Sequence, residues 1–218
     1  FTDYFFHSKG NANTLNGDGT LGPHPPGAEP PDTYRYDPLN PVPWPNRETL
    51  VGSAEYAHPG TYDQRGIEMR QDVLVYSTPP LQADIEVTGP VTVVLHAATS
   101  TEDTDFTGKL VDVSPSGTAM NLTEGILRAR YRDTTERASL IQPRDIYEYN
   151  IDLVSTSNLF RKGHRIRVEI SSSNFPRFDR NLNTAREPWE ESQPRTAVQT
   201  VFHSAEYPSR IILPIIPR

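Results

Sequence analysis

Between His164 and Ile170 the apolar residues Ile166, Val168 and Ile170 alternate with Arg165, Arg167 and Glu169. A period of two puts alternate side chains on opposite faces of a strand, so the stretch predicts one with a buried face and a wet one. Its continuation, Ser171-Ser172-Ser173-Asn174-Phe175-Pro176, ends the pairing, because proline has no ladder donor and holds the residue before it extended. Arg177, Asp179 and Arg180 then fall among polar residues. A core strand running into a charged loop is how a scaffold presents a surface feature.

The same patterning recurs along the chain. Tyr147–Leu153 alternates without exception, and Val91–Ala98 is apolar on both faces, which predicts a central strand. Further strands are expected at 33–36, 72–77, 84–88, 106–113, 126–131, 198–202 and 211–215. Tyr4–Leu15 is expected to lead into a turn at Asn16-Gly17-Asp18-Gly19, with glycines supplying positive φ, and to return through Thr20-Leu21 as a hairpin. About nine or ten strands with no long amphipathic helix predict an all-β chain, a β-sandwich whose best fit is the double-sheet jelly roll.

Composition adds limits. The 218 residues suit one large β domain, and 21 prolines crowd especially between Pro23 and Pro45, so a long proline-rich irregular segment (22–66) is expected within it. The absence of cysteine excludes disulfides and thiolate metal sites. A net charge of −7 with no basic run longer than Arg161-Lys162 argues against a nucleic-acid partner. No apolar run approaches the roughly 18 residues of a membrane helix, and no membrane partner is expected. Phe1-Thr2-Asp3-Tyr4-Phe5-Phe6, apolar and without Met, reads as the middle of a larger chain.

Catalytic chemistry is not evident. No G-x-S-x-G elbow occurs, and the six histidines show no ligand spacing, so no cofactor is expected and no metal is assigned. Ser171–Ser173 reads as hydroxyls bonding backbone at a strand end. Glu102, Asp103 and Asp105 form an acidic knot that is either a calcium loop or a solvated loop with Asp105 capping a turn. Arg177, Asp179 and Arg180 read as ion pairs that pin their loop or contact a neighbouring domain. A sugar-binding face would need displayed aromatics, and Trp44 and Trp189 both lie in proline-flanked loops.

Three stretches carry a resemblance: Ser171–Asn181 (S-S-S-N-F-P-R-F-D-R-N), Asp103–Val113 (D-T-D-F-T-G-K-L-V-D-V) and Pro208–Ile216 (P-S-R-I-I-L-P-I-I). Together they resemble the C-terminal domain of the hydrolase family that contains X-prolyl dipeptidyl-peptidases, bacterial cocaine esterases and α-amino-acid ester hydrolases. The resemblance implies a galactose-binding-domain-like jelly roll and a catalytic α/β-hydrolase domain on the same polypeptide, which holds the triad. It leaves room for a homodimer. It also implies that the segment after Asp37-Pro38-Leu39-Asn40-Pro41-Val42-Pro43 brings Leu50 and Val51 to the rim of the substrate pocket, although Trp44–Glu48 departs from the glycine-containing version. The rival expectation is a free-standing jelly-roll module that binds carbohydrate or another ligand.

Overall fold

The computed structural model describes residues 1–44, 60–187, 190 and 192–217. Its eleven strands are β1 (Thr2–His7), β2 (Thr20–Gly22), β3 (Asp32–Tyr36), β4 (Leu74–Ser77), β5 (Ile85–Thr99), β6 (Asp105–Val113), β7 (Ala119–Arg128), β8 (Tyr147–Phe160), β9 (Arg165–Ser171), β10 (Ala197–Phe202) and β11 (Arg210–Leu213). A 3₁₀ turn occupies Ala129–Tyr131. Among the described residues no helix is long and apolar enough to cross a membrane.

Two sets of strands make a β-sandwich. In the first, β8 runs antiparallel along one side of β5, while β11 and β10 follow each other end to end along the other; β11 pairs in turn with β1, β10 with β3, and β1 with β2. In the second, β4, β9, β6 and β7 lie antiparallel in that order. One parallel pair, Thr20 with Ser77, joins the two. The sets meet face to face at Gly108 on β6, where an added Cβ would stand 3.1 Å from Leu153 Cδ2 and 3.4 Å from Val93 Cγ2. Phe106, Leu110, Ile166, Val168 and Ile170 fill the space between with Val93, Leu95, Tyr149 and Ile151. Each such side chain contributes about 1.5–3 kcal/mol by leaving water.

Several sequence expectations are corrected. The 84–88 and 91–98 segments are one strand, because Gly89 at φ 132° and a register shift between Pro90 and Thr92 carry the chain through without ending it. The strand expected at 126–131 is displaced: β7 spans 119–128, and 129–131 is the 3₁₀ turn. The hairpin of β1 and β2 forms, but its glycines serve a different purpose. Neither Gly17 nor Gly19 has positive φ; a Cβ on Gly17 would collide with the Asn11 carbonyl oxygen and one on Gly19 with that of Val75.

The largest correction concerns β9. Arg167 and Glu169 are buried, 7% and 3% exposed, although they alternate with the core residues. Residues 62–73 lie across that outer face: Asp63 bridges to Met120, the Gln64 N–H donates to Ala119 O at 2.7 Å, and Val42, Ile67, Val73 and Val75 form an apolar seal.

Candidate functional site

At the end of β9 two of the three serine hydroxyls bond backbone as expected, and the third, Ser172, bonds side chains instead. Ser173 Oγ accepts the Val42 N–H at 2.8 Å, Ser171 Oγ donates to Ser173 O at 3.1 Å, and Ser172 Oγ pairs with Tyr34 OH and Gln199 Nε2. Among the described residues no imidazole contacts these serines. The Phe175–Pro176 bond is cis.

Arg177 and Asp179 tie the loop to β7, and Arg180 ties it to the strip 38–44. Arg177 Nε meets Glu124 Oε1 at 2.6 Å, with its guanidinium over the rings of Trp44 and Phe178. Asp179 accepts from Arg128 at 3.3 Å, and Arg180 donates to Pro38 O at 2.9 Å. The strip 38–44 is thereby set beside the loop, through a bridge of Pro43 with Phe175 and the Trp44 N–H bonded to Phe175 O at 2.7 Å. On its other side Arg70 donates to Asn40 O at 2.7 Å. Leu39, Met69 and Phe175 stand out from this end at 70%, 53% and 41% exposure, with Asp179 and Arg177 also reaching solvent.

Leu50 and Val51, expected at a pocket rim, lie outside the described residues, as do His58 and Trp189. The chain enters that stretch at Trp44, whose ring is buried and meets Tyr62 edge-on at 5.7 Å beyond it. Trp44 therefore offers no open platform for a sugar ring.

In the acidic knot Glu102 reaches solvent, but Asp103 and Asp105 do not, and among the described residues Asp105 caps no turn. Asp103 and Asp105 are each 1% exposed and face guanidinium groups: Arg130 Nε to Asp103 at 2.8 Å, Arg128 Nε to Asp105 at 2.9 Å. Asn181 Nδ2 bonds both carboxylates, at 2.9 and 2.8 Å. Glu102 meets Arg195 at 3.4 Å. Burial pushes the Asp105 carboxyl up to about 6 against the pull of Arg128. The cations that satisfy these acids are side chains of the domain, and the arrangement fixes loop 178–187 to β6 and β7.

A second charged cluster lies on the outer face of β9 and β6. Arg167 donates to Glu68 Oε2 at 2.6 Å and to Ser77 Oγ at 2.7 Å. Lys109 Nζ donates to Gln64 Oε1 at 3.2 Å and lies 3.9 Å from Glu124. Burial pushes Glu169 up to about 8; the Glu68 carboxylate acts the same way, and Lys109 opposes them. Nothing in the alternation separates a covered face from a wet one. A usable signal was the run of mixed charges at Arg165, Arg167 and Glu169 beside Lys109, with Asp63-Gln64-Arg65 available to answer it.

These geometries hold segments together. The family of X-Pro dipeptidyl-peptidase C-terminal non-catalytic domains matches residues 2–212. The whole chain is 48% identical to cocaine esterase of Rhodococcus sp. (strain MB1 Bresler), spanning 38% of that protein's length. Among solved structures, 99% of the chain superposes on 37% of an aminopeptidase from a marine sediment Thaumarchaeota archaeon, with a TM-score of 0.87 and 33% identity. The same share superposes on 36% of an α-amino acid ester hydrolase, with a TM-score of 0.85 and 29% identity. The chain belongs to the family of X-Pro dipeptidyl-peptidase C-terminal non-catalytic domains.

Proposed function

We propose that this domain docks on a catalytic α/β-hydrolase domain of the same polypeptide through the end built from 37–44, 69–72 and 175–180. The parent protein hydrolyses a peptide, ester or amide bond, and Leu50 and Val51 complete one side of its substrate pocket. The observation that carries the docking is that Leu39, Met69 and Phe175, with Arg177 and Asp179, are exposed on segments that the Pro43–Phe175 bridge and the Arg70–Asn40 bond hold side by side. Contacts between domains of one chain cover roughly 600–1,500 Å² and mix apolar and charged groups in this way. The similarity to proteins of more than twice this length supports a large partner in the same chain.

The test uses the full-length protein. Leu39→Glu and Phe175→Glu alter side chains that this domain leaves exposed, so its own unfolding midpoint should hold while proteolysis between domains speeds up. Separately, Leu50→Ala should change kcat/KM differently for bulky and small acyl groups, since one lost pocket contact is worth about 1–3 kcal/mol. Unchanged proteolysis in both glutamate variants contradicts the docking surface; equal effects on every substrate contradict the rim role.

A further inference from the structure

The residues that anchor the proline segment 23–31 meet in a cluster that the docking end does not use. His203, just past β10, is fully buried. Its Nε2 lies 2.9 Å from Asp32 Oδ2 and 3.1 Å from Ser8 Oγ, while its Nδ1 lies 3.2 Å from Glu29 Oε2. Asp32 also accepts from Ser8 Oγ at 2.8 Å, Tyr76 OH at 2.7 Å and the Ala12 N–H at 2.8 Å. Glu29 accepts the Ser8 N–H at 3.1 Å, and its other oxygen meets His7 Nδ1 at 2.8 Å.

A serine, an imidazole and two carboxylates in contact invite a catalytic reading, which burial and the hydrogen-bond pattern argue against. Ser8 Oγ donates to Asp32 and is 7% exposed, so it has neither a free base nor access to substrate. The ring shows something else. Both of its nitrogens face carboxylate oxygens, and a neutral imidazole with one N–H would leave a lone pair against one of them. The imidazolium donates to both. Burial pulls His203 toward the neutral form, but Asp32 and Glu29 outweigh it and hold the group above 6.5. Hydrogen bonds, led by that from His203, keep Asp32 low against its own burial, and those from His7 and Ser8 do the same for Glu29. The titratable groups around the ring come from several elements: Glu29 from the proline segment, Asp32 from β3 and Tyr76 from β4 meet it, with His7 of β1 bonded to Glu29 and Asp18 acting on Tyr76.

We propose that His203 is a proton-operated latch: clamped as an imidazolium between Asp32 and Glu29 it fastens segment 23–31 to the sandwich, and on losing its proton it releases that segment. The asymmetry of the two carboxylates decides which side lets go. Asp32 is fully buried and keeps three other donors; Glu29 is partly exposed, on a segment without regular structure. Other ties of that segment include the Ser8 N–H to Glu29, the Ala205 N–H to Gly27 O at 2.9 Å, and His7 to Glu29 and to His24 O. The latch is closed while Glu29 is ionised and His203 protonated, and opens as pH rises through the raised value of His203.

Two amides donate across the seam, Ser8 to Glu29 and Ala205 to Gly27, and their hydrogen exchange in the intact chain reports the latch. After correction for intrinsic rates, protection of both should fall by about tenfold or more over the pH range in which the His203 ring titrates by proton NMR, while amides of β9 keep theirs. His203→Gln should leave both amides weakly protected at every pH. Glu29→Gln keeps the Asp32 anchor, serves if the first variant does not fold, and should abolish the pH step. A flat profile in the wild-type chain, or a step that survives Glu29→Gln, would overturn the latch.

Discussion

Strand β9 has two faces with opposite contents. Ile166, Val168 and Ile170 enter a core of aliphatic and aromatic side chains, and one residue away along the backbone Arg167 and Glu169 enter a layer of Glu68, Lys109, Glu124 and Gln64. Both faces are closed to water, but different interactions close them. The core is held by area removed from solvent, which is non-directional and tolerant of small changes of shape. The charged layer holds through pairs, Arg167 with Glu68 and Lys109 with Gln64 and Glu124, and a buried ion stripped of its partner is penalised far more than a buried methyl group. The contrast suggests that residues 62–73 are positioned by specific charge pairing and that the two sheets are positioned by packing.

Three substitutions sharpen that contrast. Lys109→Met should destabilise the domain by about 3 kcal/mol in urea unfolding, at the low end for breaking buried ion pairs because Arg177 still answers Glu124. A loss under about 0.5 kcal/mol would mean the layer is wet enough to ignore.

Glu169 makes the next test through pH. Its folded pKa is raised from 4.5 to about 8, so between those values the folded chain holds a proton that the unfolded chain has released. Stability from this group is fully present below pH 4.5 and is lost as pH rises toward 8, with a slope of up to about 1.4 kcal/mol per pH unit. Glu169→Gln keeps the shape without the titration, and its unfolding profile should be flatter than the wild type's in that window. Parallel profiles would contradict the assignment. On the apolar face Ile170→Val should cost only about 0.5–1.5 kcal/mol and show no pH dependence relative to the wild type.

The ease with which each part could be read from the residues follows the same division. Strands with a continuous apolar face, such as 106–113, 147–153 and 164–170, were legible because their pattern is local. β7 was not, since Asn121, Thr123 and Glu124 are polar yet buried under a cover supplied by distant residues. The cover itself, and the cluster of Ser8, Glu29, Asp32 and His203, join positions far apart in sequence that no periodicity links. Membership of the family was legible from three long motifs. The pocket-rim pair Leu50 and Val51 rests on that resemblance, outside the described residues.

The claim that charge pairing on the outer face of β9 fixes residues 62–73 is tested most directly by a double-mutant cycle on Arg167 and Glu68, which meet at 2.6 Å in full burial. Arg167→Met and Glu68→Leu should each destabilise the chain by about 3–5 kcal/mol, because each leaves a lone buried charge. The double variant should lose far less than the sum, giving a coupling of at least about 2 kcal/mol by urea unfolding. Additive losses, or single losses under about 0.5 kcal/mol, would contradict it.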